Sequence, residues 1–362
     1  MASPHLSVEN VAIQPDLSRA GLGRRILILG VVILAVAAVI SLVPGLASLR
    51  SRFAHAEPGW LVAGAALKVL SGISYVAVFR AVFCQRMSWR MSSEIGFSEL
   101  GANAVVPTGG AGGLALGAWA LNRSGMDGER IARRSVAFFL LTSVPNVVGV
   151  IVLGLGLAVG VFPGHANIVL TVLPALIAIA AIVVTIASGR WADGARRRAH
   201  ARRGPESRLG RALGALASGV QESLEFLRHP SPLLLFGLLG YLGFDVAILW
   251  ATFHSFGASP EVAILALAYL IGELGGLIPV PGGLGGVDLG LVGTLVIYHV
   301  PVGLATAAVL AYRAVALVVP AVLGLVAFLL LRRSLARETL AISSCEPNGQ
   351  VEVIGRGLVR LG

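Results

Sequence analysis

Apolar residues run almost uninterrupted over 26–47, 59–83, 135–161, 168–188, 232–254 and 303–331. At about 1.5 Å per helical residue, each run is long enough for a hydrocarbon layer of roughly 30 Å. Six full transmembrane helices are therefore predicted. Two further apolar segments, 95–121 and 261–298, are interrupted by proline and clustered glycine where a helix would have to continue. These read as broken segments.

Arginine placement turns the spans into a topology. Arg19, Arg24 and Arg25 precede the first span, Arg86 and Arg90 follow the second, and Arg123, Arg130, Arg133 and Arg134 follow the first broken segment. Nine more arginines crowd 190–231, and Arg332, Arg333 and Arg337 follow the last span. Basic loops stay in the cytoplasm. The first broken segment thus enters and returns on the cytoplasmic side. The linkers near 162–167, 255–260 and 299–302 carry no Lys or Arg, so the second broken segment starts and ends outside. Arg50 and Arg52 alone go against this scheme. The chain reads as a cytoplasmic segment (1–25), a membrane domain (26–331) with an Arg-rich cytoplasmic loop (190–231), and a cytoplasmic tail (332–362) expected to be disordered. No synthase-sized domain is expected after the last span, and the first span reads as retained because no cleavage pattern follows it.

The two broken segments match each other. Residues 99–117 read ELGANAVVPTGGAGGLALG and 273–290 read ELGGLIPVPGGLGGVDLG. With one gap after the proline, Glu99 pairs with Glu273, Pro107 with Pro281, Gly109 and Gly110 with Gly282 and Gly283, Gly112 with Gly285, and Gly117 with Gly290. Since they lie on opposite sides in the topology above, this is an inverted repeat of two re-entrant hairpins. Broken backbone at membrane depth is tolerated only inside protein or around a wet cavity, and helix N-termini there favour anions. Glycine clusters also serve plain helix packing, which is the competing reading.

Composition supports lipid as the solvent: 56% of residues are hydrophobic, 13% are charged and the mean hydropathy is +0.86. The net charge of +10 is the excess of 28 basic residues, 27 of them Arg, over 18 acidic ones. Because this charge is concentrated in short loops without interleaved aromatics, it marks topology, and nucleic-acid binding is not expected. Cys84 and Cys345 form no metal-binding spacing and read as reduced thiols; the seven scattered histidines offer no paired ligands. No metal or other cofactor is expected.

Charges inside spans are costly unless paired or functional. Lys68, Asp245 and Arg313 lie within full spans, and Glu99, Glu273 and Asp288 in the broken ones. Arg313 suits an anionic group or an ion pair with Asp288 or Asp245; Lys68 suits either role equally. Glu99 and Glu273 could carry a coupling proton or hydrogen-bond the loosened backbone. The candidate substrate site is Pro107, Gly109, Gly110, Gly112, Pro281, Gly282, Gly283, Gly285, Asp288 and Arg313. Residues 208–228 mix Leu and Arg at helical spacing, so part of the basic loop could lie on anionic headgroups.

The runs Pro107-Thr108-Gly109-Gly110-Ala111-Gly112 and Pro279-Val280-Pro281-Gly282-Gly283-Leu284-Gly285 with Asp288 carry a family likeness, as does Tyr312-Arg313 with Pro320 and Gly324. Over nearly all of 25–335 the chain resembles the lysylphosphatidylglycerol synthase transmembrane family, which includes the membrane half of the multiple peptide resistance factor. The resemblance implies a multi-pass protein of the inner membrane, with cytoplasmic termini, that moves or binds an anionic lipid or lipid-linked precursor. A separate synthase or glycosyltransferase is a candidate partner. A transporter of a small anionic solute would use the same architecture, and a membrane scaffold is a third reading. No nucleophile elbow or Cys/His constellation points to an enzyme.

Overall fold

The computed structural model describes residues 47–105, 111–163, 167–201, 208–258, 260–275 and 286–335, which are helical throughout apart from short turns. The helices are α1 (Ala47–Ala54), α2 (Pro58–Phe83), α3 (Trp89–Val105), α4 (Ala111–Arg123), α5 (Gly128–Ala158), α6 (Ile168–Ala201), α7 (Arg208–Arg228), α8 (Pro232–Ser255), α9 (Val262–Gly275), α10 (Gly286–Ile297) and α11 (Val302–Leu335). Ser51–Gly362 forms one compact unit; of Met1–Arg50 only the start of α1 is described.

Among these, α2, α5, α8 and α11 are long and apolar enough to cross a membrane. They correspond to four of the six expected spans. The expected span at 168–188 opens α6, whose apolar stretch Ile168–Val184 is shorter, and 26–47 lies outside the described residues except for its last position. Large apolar side chains such as Val159, Val184, Leu239, Leu289 and Val322 face outward. Lipid is the solvent that tolerates so much exposed apolar surface.

Helix starts follow ordinary capping rules. Proline occupies the first turn of α2 and of α8, where its missing N–H costs nothing. Ser231 accepts from the Leu234 N–H at the start of α8, and Asp127 accepts from Glu129 and Arg130 at the start of α5.

The centre is an antiparallel pair, α2 against α8. Their contacts run in opposite senses: the Glu57 N–H donates to the Ser255 carbonyl at 2.8 Å, Trp60 meets Trp250 edge-on, Lys68 meets Asp245, and Ser74 meets Gly237 and Gly240. At Gly237 the backbones approach so closely that a Cβ would lie 2.8 Å from the Ser74 carbonyl oxygen and 2.9 Å from the Val78 nitrogen.

The two broken segments form helix pairs. α3 and α4 run antiparallel, with Gly113 beside Asn103 and Gly117 beside Glu99. α9 and α10 do the same, with Gly272 beside Leu291 and Gly275 beside Gly286. At about 1.5 Å per residue, the 14 residues of α9 and 12 of α10 reach only about 21 and 18 Å. α3 packs on α11, whereas α9 packs on α5.

The Arg-rich stretch is helical in the end of α6 and in α7, the latter over the residues 208–228 where Leu and Arg recur at helical spacing. α7 packs on α5, with Gly219 against Val136 and Glu222 facing two arginines, and this contact supports the helix. Glu222 pairs with Arg133 at 3.4 Å and Arg134 at 2.9 Å, and Arg134 also donates to the Val82 carbonyl at 2.6 Å. Cys84, at the C-cap of α2, is disulfide-bonded and not the reduced thiol expected.

The tightest crossing joins α3 to α11, where a Cβ on Gly101 would lie 2.7 Å from the Gly324 Cα and 3.0 Å from the Pro320 carbonyl oxygen. Gly101→Ala should cost about 1–3 kcal/mol, the usual penalty for forcing extra volume into a filled contact. Gly243→Ala, at a glycine with open space around it, should not lower stability. Thermal melts of both variants in detergent check this pair; equal melting would show that the crossing tolerates the methyl.

Candidate functional site

Three polar groupings occupy the interior. The first joins the central helices: the Lys68 ammonium donates to Asp245 Oδ1 at 2.7 Å, and the Tyr269 hydroxyl of α9 donates to Asp245 Oδ2 at 3.3 Å. Both members of the ion pair are buried. Lys68, which suited anion contact or pairing equally, is thus engaged by Asp245.

The second lies in the first helix pair. The Tyr75 hydroxyl donates to Glu99 Oε2 at 2.8 Å, with Glu99 2% exposed. Glu99 therefore takes a side-chain hydroxyl from α2, not loosened backbone amides. Gly117 makes room for it, since a Cβ there would overlap the Glu99 carboxyl. The Gly113 amide donates to Asn103 Oδ1 at 2.7 Å, which ties the start of α4 to α3.

The third lies at the second helix pair. Arg313 of α11 donates through Nε to Asp288 Oδ1, in the first turn of α10, where a carboxylate also complements the helix dipole. One terminal nitrogen, Arg313 Nη2, is buried without any hydrogen-bond partner. The side chain as a whole keeps 20% of its surface accessible, while Nη2 itself is buried. Glu273, one turn after Tyr269 on α9, is exposed and lies within electrostatic range of Arg313, Lys68 and Asp245.

The structure thus brings Lys68, Asp245, Glu273, Asp288 and Arg313 into one neighbourhood and leaves Glu99 in a second one, linked through Tyr75. Gly112 lies in the first turn of α4. Pro107, Gly109, Gly110, Pro281, Gly282, Gly283 and Gly285 lie outside the described residues. Among the described motif glycines, Gly101, Gly113, Gly117, Gly275 and Gly290 lie at close helix approaches. Among the described residues no group of three His, Cys, Asp or Glu could hold a metal ion.

Sequence reasoning missed the tyrosines. Tyr75, Tyr241, Tyr269 and Tyr312 all point inward, and the chain has only five. Their mid-span positions, away from the interfacial belts where tyrosine normally collects, were the available signal.

The arrangement of long apolar helices around paired intramembrane charges agrees with the sequence comparison, in which residues 27–324 match the model of the lysylphosphatidylglycerol synthase TM region. The chain belongs to this family. As a member of the lysylphosphatidylglycerol synthase TM family it is a multi-pass membrane protein connected with lipid-related processes. No curated protein and no solved structure matches it.

Removing one member of a buried ion pair strands the other charge, at about 3–5 kcal/mol, whereas replacing both by apolar residues is often neutral. Lys68→Met should therefore be markedly destabilised, and Lys68→Met combined with Asp245→Leu should recover much of the loss. A double-mutant cycle of thermal unfolding in detergent measures this. Additive losses would mean that the pair does not act as a unit.

Proposed function

We propose that this family member binds an anionic lipid or lipid-linked precursor at Arg313 and moves it across the cytoplasmic membrane, without acting as an enzyme. The observation that carries the reading is the guanidinium of Arg313, fixed by Asp288 on one side and left with a buried, unpartnered Nη2 on the other. An arginine held this way offers a directed, charge-assisted donor to a phosphate oxygen.

Translocation is supported by the inverted-repeat reading. α2, the α3–α4 pair and α5 correspond in order to α8, the α9–α10 pair and α11. Pro58 precedes Glu99 by the same number of residues as Pro232 precedes Glu273, which extends the repeat beyond the glycine motifs. The packing follows suit: α3 on α11 has its counterpart in α9 on α5, and α2 and α8 face each other antiparallel, as an in-plane two-fold axis requires. Helix pairs too short to cross are re-entrant in this reading, the first from the cytoplasm and the second from outside. Such repeats place their site near mid-membrane, between the halves, and expose it alternately.

Native mass spectrometry of the purified protein with phosphatidylglycerol tests the binding step. Wild type should retain the lipid above its share of the surrounding mixture, and Arg313→Ala should weaken retention by about tenfold or more, the worth of a charge-assisted contact. Retention in bulk proportion by both proteins would sink the lipid reading. Arg313-dependent thermal protection by inorganic phosphate, without lipid retention, would instead favour a transporter of small anionic solutes.

A further inference from the structure

The charges around Arg313 do not balance for an incoming anion. Lys68 and Arg313 are matched by Asp245 and Asp288, and the carboxyl of Glu273, within electrostatic range of them, is in excess. A phosphate entering there brings negative charge into a neighbourhood that already holds three carboxyls and two cations, where low dielectric magnifies the repulsion. A proton arriving with the anion would remove it.

Hydroxyl and carboxyl groups stand between Glu99 and that neighbourhood. Glu99 accepts from Tyr75, and no cation among the described residues pairs with it. Facing it, α2 contributes only Tyr75, α4 contributes Gly113 and Gly117, and the neutral Asn103 lies one turn further along α3; from α11, Gly324 and the Pro320 carbonyl pack beside Gly101. The Tyr75 ring lies 5.7 Å from the ring of Tyr241, which stands one turn before Asp245 on α8. Tyr241 is within electrostatic range of both Asp245 and Glu273. On α2, Ser71 lies on the same helical face as Lys68 and Tyr75, between them, and its hydroxyl is fully buried without a hydrogen-bond partner. Hydroxyls and carboxyls thus lead from one helix pair to the other. Chains of intramembrane ionisable groups of this kind mark proton relays.

We propose that anion movement at Arg313 is coupled to a proton carried from Glu99 to Glu273 through Tyr75, Ser71 and Tyr241. This rests on the reading of Arg313 as the anion site. When the Tyr75 hydroxyl rotates away, its proton passes inward and its oxygen takes the proton of the Glu99 carboxyl. Glu99 is left as carboxylate, Tyr75 is unchanged, and Glu273 becomes a neutral acid beside the bound anion. Glu99 is then reloaded from the side on which the first helix pair enters.

The test uses the full chain in phosphatidylcholine vesicles containing phosphatidylglycerol, with a pH-sensitive dye inside, an imposed pH gradient and a clamped membrane potential. Wild type should collapse the gradient faster than protein-free vesicles. Glu99→Gln should return it to the protein-free rate. Tyr75→Phe, which removes a single oxygen and guards against a folding artefact, should slow it by about a hundredfold, as loss of a positioned proton-transfer group does. A wild-type rate equal to that of protein-free vesicles, or Glu99→Gln as fast as wild type, would overturn the coupling. Lipid retention by the same preparations is read separately: retention without proton movement overturns the coupling alone, and proton movement through Glu99 without retention overturns the lipid reading alone.

Discussion

A buried ion pair joins the two antiparallel helices at the centre of the fold. Lys68 and Asp245 face each other across the α2–α8 contact, and the Tyr269 hydroxyl satisfies the second carboxylate oxygen. In hydrocarbon neither charge could be left alone, so the pair fixes the lengthwise register of the two central helices. Register in turn sets everything attached to them: Tyr75 reaches Glu99 in the first helix pair, and Tyr269 brings the second pair to the centre.

Around this pin, small residues determine how near the other helices come. Gly101 and Gly324 let α3 and α11 touch backbone to backbone, and Gly272 and Gly290 do so within the second helix pair. Lipid supplies no hydrophobic force to drive helices together, so close van der Waals approach and satisfied polar contacts hold the bundle. The outward apolar residues are indifferent to this detail, as expected of a lipid-facing shell.

Much of this was legible in the sequence. Long apolar runs gave the four long spans, and proline with paired glycine marked where the two helix pairs divide. Lys68, Asp245, Asp288 and Arg313 stood out because charge in an apolar run is expensive. Their pairing was not legible, since Arg313 could have met Asp288 or Asp245 and nothing along the chain selects one. The role of Gly117 was hidden for the same reason: it admits the carboxyl of Glu99, a partner on another helix. The helix over 208–228 was legible in its mix of Leu and Arg at helical spacing, but its seat on α5 was not, since the partners of Glu222 lie elsewhere in the chain.

The last helix deserves a mechanical description. α11 touches the first helix pair at Gly324 and the second at Arg313, about three turns apart, so a single rod is attached to both helix pairs. Pro320 lies between the two attachments and withholds one rung of the helical ladder there. A rigid rod would force both helix pairs to move in lockstep. A rod weakened at that point can bend, so one pair can shift while the other stays seated.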